Sequence, residues 1–373
     1  MPERPRFRHV VFCNWRDTSN PEGGGSERYV ERMAQALARR GCRVTVCCAR
    51  HGDAPADEVR DGVRFVRRGG KLGVYPRAFG AIALRRLGPV DLVVDVQNGI
   101  PFFTRLATRR PVVVLVHHVH REQWPVVYPG LAGRVGWWIE STLAPRLYTR
   151  SRYVAVSTAT RDELAELGVA PERIAVVHNG TDPAPVLTGT RSTTPTICVV
   201  SRLVPHKQIE HAIDAVAALR ERFPAVRCQI AGAGWWEDSL RDYARKHRVE
   251  DAVDFLGHVD DATKHRLYAT AWVQALPSLK EGWGLVVGEA GAHATPTVAY
   301  DSARGTRDSI VGDVSGVLVD TKPEFVAAVG RVLGDVELRE RLGKGAYEQS
   351  LRYTWEDAER SFVSVLDQAF ARS

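Results

Sequence analysis

The sequence predicts an α/β protein of two doubly wound domains, each built on a parallel sheet, and three observations lead there. Short runs dense in Val and Ile alternate with stretches of helical periodicity, the pattern of buried parallel strands covered by helices on both faces. The alternation stops once, at residues 182–195, where Pro183, Pro185, Gly189 and Pro195 stand among Ser and Thr, and then restarts. The 373 residues, 44% apolar and 25% charged, suffice for two separate cores. Residues 1–185 and 186–353 are the expected domains, followed by a closing segment, 354–373.

In the first domain, strands are expected at 9–13, 43–48, 63–66, 91–96, 111–116, 153–156 and 174–177. After the first of them, Val30, Met33, Ala34, Leu37 and Ala38 form the apolar stripe of an amphipathic helix. The second domain repeats the scheme with strands expected at 196–200, 227–231, 252–255, 271–276, 296–299 and 316–319. Ile209, Ala212, Ile213, Val216 and Leu219 stripe its first helix. Ligands of such sheets bind beyond the carboxyl ends of the strands, and the two edges are expected to face each other across a cleft.

Composition excludes several classes. No stretch approaches the ~20 apolar residues of a membrane span, and the opening Met-Pro-Glu-Arg-Pro-Arg-Phe-Arg-His lacks a signal-peptide apolar segment. A cytoplasmic location is expected. Cys13, Cys42, Cys47, Cys48, Cys198 and Cys228 include no Cys-x-x-Cys pair and mostly sit in apolar runs, so buried reduced thiols are expected. The net charge of +7 is uneven, about +10 over residues 1–185 and about −3 over the rest. Arg60, Arg64, Arg67, Arg68, Lys71, Arg77, Arg85 and Arg86 fall in one short span. Either this face docks peripherally on an anionic membrane, at the inner membrane face, or it is a solvated arginine-rich surface. A nucleic-acid partner is not expected.

The most informative segment is residues 276–289, Leu-Pro-Ser-Leu-Lys-Glu-Gly-Trp-Gly-Leu-Val-Val-Gly-Glu. Pro277 and Gly282 end a strand, and residues 284–293 have helical spacing. Glu281 therefore lies in the strand-to-helix loop. Eight residues at roughly 100° each bring Glu289 back to within ~80° of the same face, so both carboxylates can meet one ligand. Amides of Gly282, Trp283, Gly284 and Leu285 at the helix start favour an anion. A phosphorylated, hydroxyl-rich ligand suits that site.

Other strand tips carry supporting groups. Asn-Pro-Glu-Gly-Gly-Gly-Ser-Glu-Arg precedes a helix beginning near Ser26, and its glycines either admit a phosphate or sugar or form a flexible turn. It is not a dinucleotide fingerprint, because the Gly-x-Gly-x-x-Gly spacing is absent. Arg202 and Lys207, after the strand ending at Val200, suit a diphosphate as fork and point charge, or are incidental charges at a solvated helix start. Gly232 and Gly234 mark a tight turn, and the groups around His258 and Val259 can read a base. His117, His118 and His120 follow a buried strand without a carboxylate or thiolate at zinc spacing, so no metal is expected there. Trp124, Tyr128, Trp137 and Trp138 belong to a core or line an acceptor groove.

Gly-Gly-Gly-Ser-Glu-Arg, His-Asn-Gly-Thr-Asp (178–182), Ser-Arg-Leu with Lys207, Ala-Gly-Ala-Gly (231–234), the Glu281/Glu289 segment and Tyr-Thr-Trp-Glu-Asp (353–357) together resemble family 4 glycosyltransferases. That resemblance implies the GT-B fold of two Rossmann-like domains, a nucleotide-sugar donor, retention of anomeric configuration, and a closing helix that returns to the first domain. It implies that Glu289 holds the ribose hydroxyls, and Glu281 with its following amides the donor sugar. Arg202 and Lys207 would hold the diphosphate, Gly24 and Gly25 would approach it from the acceptor domain, and His117 would bond a sugar hydroxyl. Ala294, where the family usually has glycine, and Arg304 and Arg307 depart from the pattern.

No Asp-x-Asp occurs, so metal-independent transfer with no bound cofactor is expected, the two cations stabilising the leaving diphosphate. The leaving phosphate itself can accept the acceptor's proton. A UDP-, GDP- or TDP-sugar is the expected donor of a hexosyl-type group. A hydroxyl of a lipid-linked or envelope glycan, or of a natural-product scaffold, is the expected acceptor. The alternative from another class is a catalytically silent nucleotide-sugar-binding partner protein. The intact Arg202, Lys207, Glu281 and Glu289 argue against it.

Overall fold

The structure is a computed structural model that describes residues 5–185 and 191–372. Residues 1–4 of the opening run, 186–190 of the expected interdomain segment, and 373 lie outside the described residues. The chain divides into two compact units, Met1–Asn179 with Trp355–Ser373, and Gly180–Thr354.

The first unit holds eight strands: β1 His9–Cys13, β2 Arg43–Cys48, β3 Asp57–Arg60, β4 Val63–Arg67, β5 Leu92–Gln97, β6 Val112–Val116, β7 Arg152–Ala155 and β8 Ile174–Val176. Their order is β3-β4-β2-β1-β5-β6-β7-β8, and every pairing is parallel except β3 with β4. β3 was not expected, because Asp-Glu-Val-Arg carries one apolar residue on an exposed edge. Its signal was Asp61-Gly62, both at positive φ (52° and 78°), the two-residue hairpin turn that joins it to β4.

Helices Gly25–Arg39 and Trp355–Ala371 cover one face of this sheet. Phe362 stacks on Phe12 at 6.1 Å, and the Glu359 carboxylate takes both contacts from Arg39 at 2.7 Å. On the other face Val11, Val93, Val114, Phe102 and Tyr148 pack together. The fully buried Asp95 lies among them. It accepts from the Phe102 and Thr104 amides (2.9 and 3.2 Å), the Thr104 hydroxyl (2.7 Å) and the Tyr148 phenol (2.5 Å), which locks the turn after β5.

The second unit is a six-stranded, wholly parallel sheet of β9 Thr196–Val200, β10 Arg227–Ala231, β11 Val253–Gly257, β12 Val273–Leu276, β13 Thr297–Tyr300 and β14 Gly316–Val319. The order β11-β10-β9-β12-β13-β14 reverses between β9 and β12. In sheets of this kind the place where strand order reverses is where ligands bind, beyond the carboxyl edge. In the first unit the corresponding reversal lies between β1 and β5, where the Asn98 amide donates to Asn14 Oδ1 at 3.2 Å. Among the described residues no helix is long and apolar enough to cross a membrane.

Candidate active site

At the reversal point of the second sheet, the loop after β9 ends in a single turn, Pro205–Lys207, closed by the Lys207 amide on the Val204 carbonyl at 3.0 Å. The Leu279 amide donates to the His206 carbonyl at 2.9 Å and ties this loop to the one after β12. Lys207 Nζ then reaches Glu281 Oε1 at 2.5 Å, with side chains only 14% and 12% exposed. Burial, the largest influence on Glu281, would raise its pKa, but Lys207, helped by the Ser278 hydroxyl and His206, pulls it the other way, and the carboxyl sits below its ordinary value. The Glu281 carboxyl is therefore ionised.

Arg202 stands five residues earlier on the same loop. Its carbonyl accepts from the Ser201 hydroxyl at 3.2 Å and the Val204 amide at 3.1 Å. Gly234 serves this loop: a Cβ there would lie 2.1 Å from the Leu203 carbonyl oxygen. The structure shows its bare α-carbon accommodating the backbone that carries Arg202.

Glu289 lies on the helix Leu285–Gly291, shorter than the expected 284–293 and entered through Gly284 at φ 82°. Lys264 Nζ meets its Oε1 at 3.1 Å and the Tyr268 phenol donates to its Oε2 at 3.0 Å. Lys264 and Tyr268 are four residues apart on the helix Asp261–Thr270, so one helical face supplies both. Sequence reasoning missed these two residues, and the i, i+4 spacing of a cation and a phenol after β11 was the available signal. Trp283 is buried against Tyr353 at 4.7 Å between ring centroids, and its carbonyl accepts from the Ser309 hydroxyl at 2.9 Å. Its indole is core; Gly282 and Leu285 beside it are half-buried. Val259 packs on the cluster containing Ala231, Tyr268 and Ala290, while His258 is exposed.

In the first unit, the glycine loop is organised by Glu27. Its Oε2 accepts from the Gly24 amide at 2.8 Å and the Ser26 hydroxyl at 2.9 Å, while Oε1 lies 3.4 Å from Arg16 Nε. The helix opens at Gly25, one residue earlier than expected. Gly23 carries a steric demand, since a Cβ there would stand 2.9 Å from the carbonyls of Asp17 and Asn20.

His117, directly after β6, is 5% exposed, and its Nε2 has no hydrogen-bond partner among the described residues. Burial lowers its pKa to about 4, so the ring is neutral. His118 and His120 are engaged elsewhere, on Gln123 Oε1 at 3.0 Å and Glu140 Oε1 at 3.0 Å.

The arginine span is not the uniform basic face that the sequence suggested. Arg67 is fully buried, bonding Asp17 Oδ2 through Nε at 2.7 Å and Glu58 Oε2 at 2.7 Å. Arg60 pairs with Glu31 at 2.9 Å, and Arg64 and Arg68 share Asp57.

Residues 23–185 match the family model described as Glycosyltransferase Family 4, and residues 187–349 the model described as Glycosyl transferases group 1. Glycogen synthase of Mycobacterium tuberculosis is 28% identical over 87% of this chain and 86% of its own length. Sucrose-phosphate synthase from Thermosynechococcus elongatus superposes with a TM-score of 0.84 at 19% identity, covering 98% of this chain and 100% of that one. Anabaena HepE, solved with UDP and glucose, superposes at 0.76 and 19% identity over 97% of this chain and 100% of its own. The chain belongs to the family 4 glycosyltransferases, enzymes of GT-B fold.

Proposed function

We propose that this enzyme moves a hexosyl-type sugar from a nucleotide-diphosphate sugar to a hydroxyl acceptor, with retention of configuration and without a divalent metal. The observation that carries the reading is the Lys207–Glu281 pair at the sheet reversal, held on the loop that also carries Arg202. As the bond from the anomeric carbon to the β-phosphate lengthens, negative charge grows on the departing oxygen. Fixed cations placed there stabilise that charge more than the ground state. Arg202 and Lys207 take this role, and Glu281 orients Lys207 while meeting the donor sugar. The acceptor oxygen bonds to the anomeric carbon on the face the phosphate leaves, and its proton passes to a phosphate oxygen.

Glu289 binds the ribose hydroxyls as an acceptor, its carboxylate held in place by Lys264 and Tyr268. The neutral His117 offers its unpartnered Nε2 to a sugar hydroxyl. Gly24 and Gly25 admit the diphosphate from the first unit. UDP is the first nucleotide to try, with GDP and TDP as the other candidates. A lipid-linked or envelope glycan, or a natural-product scaffold, supplies the hydroxyl.

Calorimetric titration with UDP, GDP, ADP and TDP without added metal tests this, with Glu289→Ala run in parallel. One nucleotide binds, and the variant weakens it by about 1.5–3 kcal/mol, the loss of a charged hydrogen bond. Failure of all four to bind overturns the donor site as drawn.

A further inference from the structure

Strand β3, Asp57–Arg60, is the outer strand of the first sheet: among the described residues it pairs with β4 alone and begins the strand order. The register sets Asp57 against Val66, Glu58 against Phe65, Val59 against Arg64 and Arg60 against Val63. In an antiparallel pair, alternate residues turn both amide and carbonyl toward the partner strand. Arg60 and Val63 flank the two-residue turn, and the Ala56 carbonyl accepts from the Arg67 amide at 2.8 Å, so positions 56, 58 and 60 face β4. The amide and carbonyl of Val59 therefore point away from the sheet. The Val59 side chain, the one apolar side chain of the strand, is 71% exposed.

An outer strand of this kind accepts another strand unless its charges forbid it. Here the charges select both the partner and the register. In a two-fold antiparallel pairing of β3 with itself, the axis passes through one residue, and that choice fixes which side chains meet. An axis through Asp57, Glu58 or Arg60 sets that residue against its own charge. An axis through Val59 sets valine against valine, and Glu58 then stands opposite Arg60 of the second copy on either side of the axis. Glu58 already meets Arg67 at 2.7 Å, and Arg60 meets Glu31 at 2.9 Å. The new contacts continue that alternation of sign: Arg67 and Glu58, then Arg60 and Glu31 of the second copy. Asp57 falls opposite Asp61 of the second copy, but it is shared by Arg64 and Arg68, two cations on one carboxylate. The register that charge favours also brings the outward amide and carbonyl of Val59 opposite those of its twin, the hydrogen-bonded arrangement of an antiparallel ladder.

We propose that two copies of this chain associate through β3, edge to edge about an axis through Val59, so that their first sheets continue as one. The proposal is independent of the transfer chemistry, because association is read without substrate.

Sedimentation velocity of the full chain over a range of concentrations tests it. The parent shows a monomer–dimer equilibrium. Val59→Lys and Val59→Asp each set like charges against each other on the axis and weaken dimerisation about fivefold. Both keep the parent's thermal midpoint and nucleotide titration, since the side chain they replace is exposed. Mixed one to one, the two variants associate again, because lysine faces aspartate only in the register centred on position 59. The proposal is overturned if the parent stays monomeric throughout the range, or if either variant alone dimerises as the parent does. It is equally overturned if the mixture stays monomeric while both variants keep the parent's thermal midpoint.

Discussion

Lys207 Nζ stands 2.5 Å from Glu281 Oε1, and this contact joins the two loops that leave the second sheet where its strand order reverses. Both side chains are nearly buried, so removing one strands the charge of the other. Lys207→Ala is predicted to abolish transfer and to cost about 1–3 kcal/mol of stability. Lys207→Met combined with Glu281→Gln removes both charges and is expected to recover most of that stability in urea unfolding while transfer stays lost. Turnover of Lys207→Ala within a few-fold of the parent would remove Lys207 from the leaving-group role.

The Tyr268–Glu289 and Lys264–Glu289 contacts make a separate prediction. Tyr268→Phe deletes one donor to the ribose-binding carboxylate and should weaken nucleotide binding by about 0.5–1.5 kcal/mol. If Glu289 grips the ribose equally before and during the reaction, the donor KM rises and kcat holds. A fall in kcat at unchanged KM would mean that Glu289 acts on the reacting sugar instead.

Much of this was legible in the sequence because it rests on local signals. The strands of near-continuous Val and Ile announce a parallel sheet buried on both faces, and Glu281 with Glu289 is set by chain spacing. What escaped depends on distant partners. Nothing local says that Arg67 buries itself on Asp17, fifty positions away, so it was counted with the surface arginines. Lys264 and Tyr268 reach Glu289 across more than twenty residues. Gly23 matters because two carbonyls crowd it, which a run of three glycines does not disclose.

His117 should leave a mark on the pH dependence of stability. Its folded pKa is about 4, against an ordinary value of 6.5, so between those values the unfolded chain binds more protons. Stability from this residue is present above pH 6.5 and is lost as pH falls toward 4, by up to about 3 kcal/mol. Glu27 nearby opposes the shift and His120 adds to it, both less than burial. Urea unfolding across this window should show a shallower slope for His117→Asn than for the parent. Superimposable profiles would show that the folded protein tolerates the imidazolium.

Ala294 and Arg304 occupy left-handed backbone, with φ of 53° and 61°. Ala294 ends the turn after the Glu289 helix, its amide on the Gly291 carbonyl at 2.8 Å. A Cβ in that conformation costs about 1 kcal/mol, so Ala294→Gly should raise the unfolding free energy by up to that amount and leave donor KM unchanged. Arg304 differs in consequence. The Gly305 amide closes a three-residue turn over it onto the Ala303 carbonyl at 2.8 Å, and the Glu281 amide donates to that same carbonyl at 3.1 Å. Relaxing the turn shifts the backbone that anchors Glu281. Arg304→Gly is therefore predicted to gain stability as Ala294→Gly does, but to raise donor KM. Equal kinetics in the two variants would show that the strained turn only closes the loop and does not position the donor site.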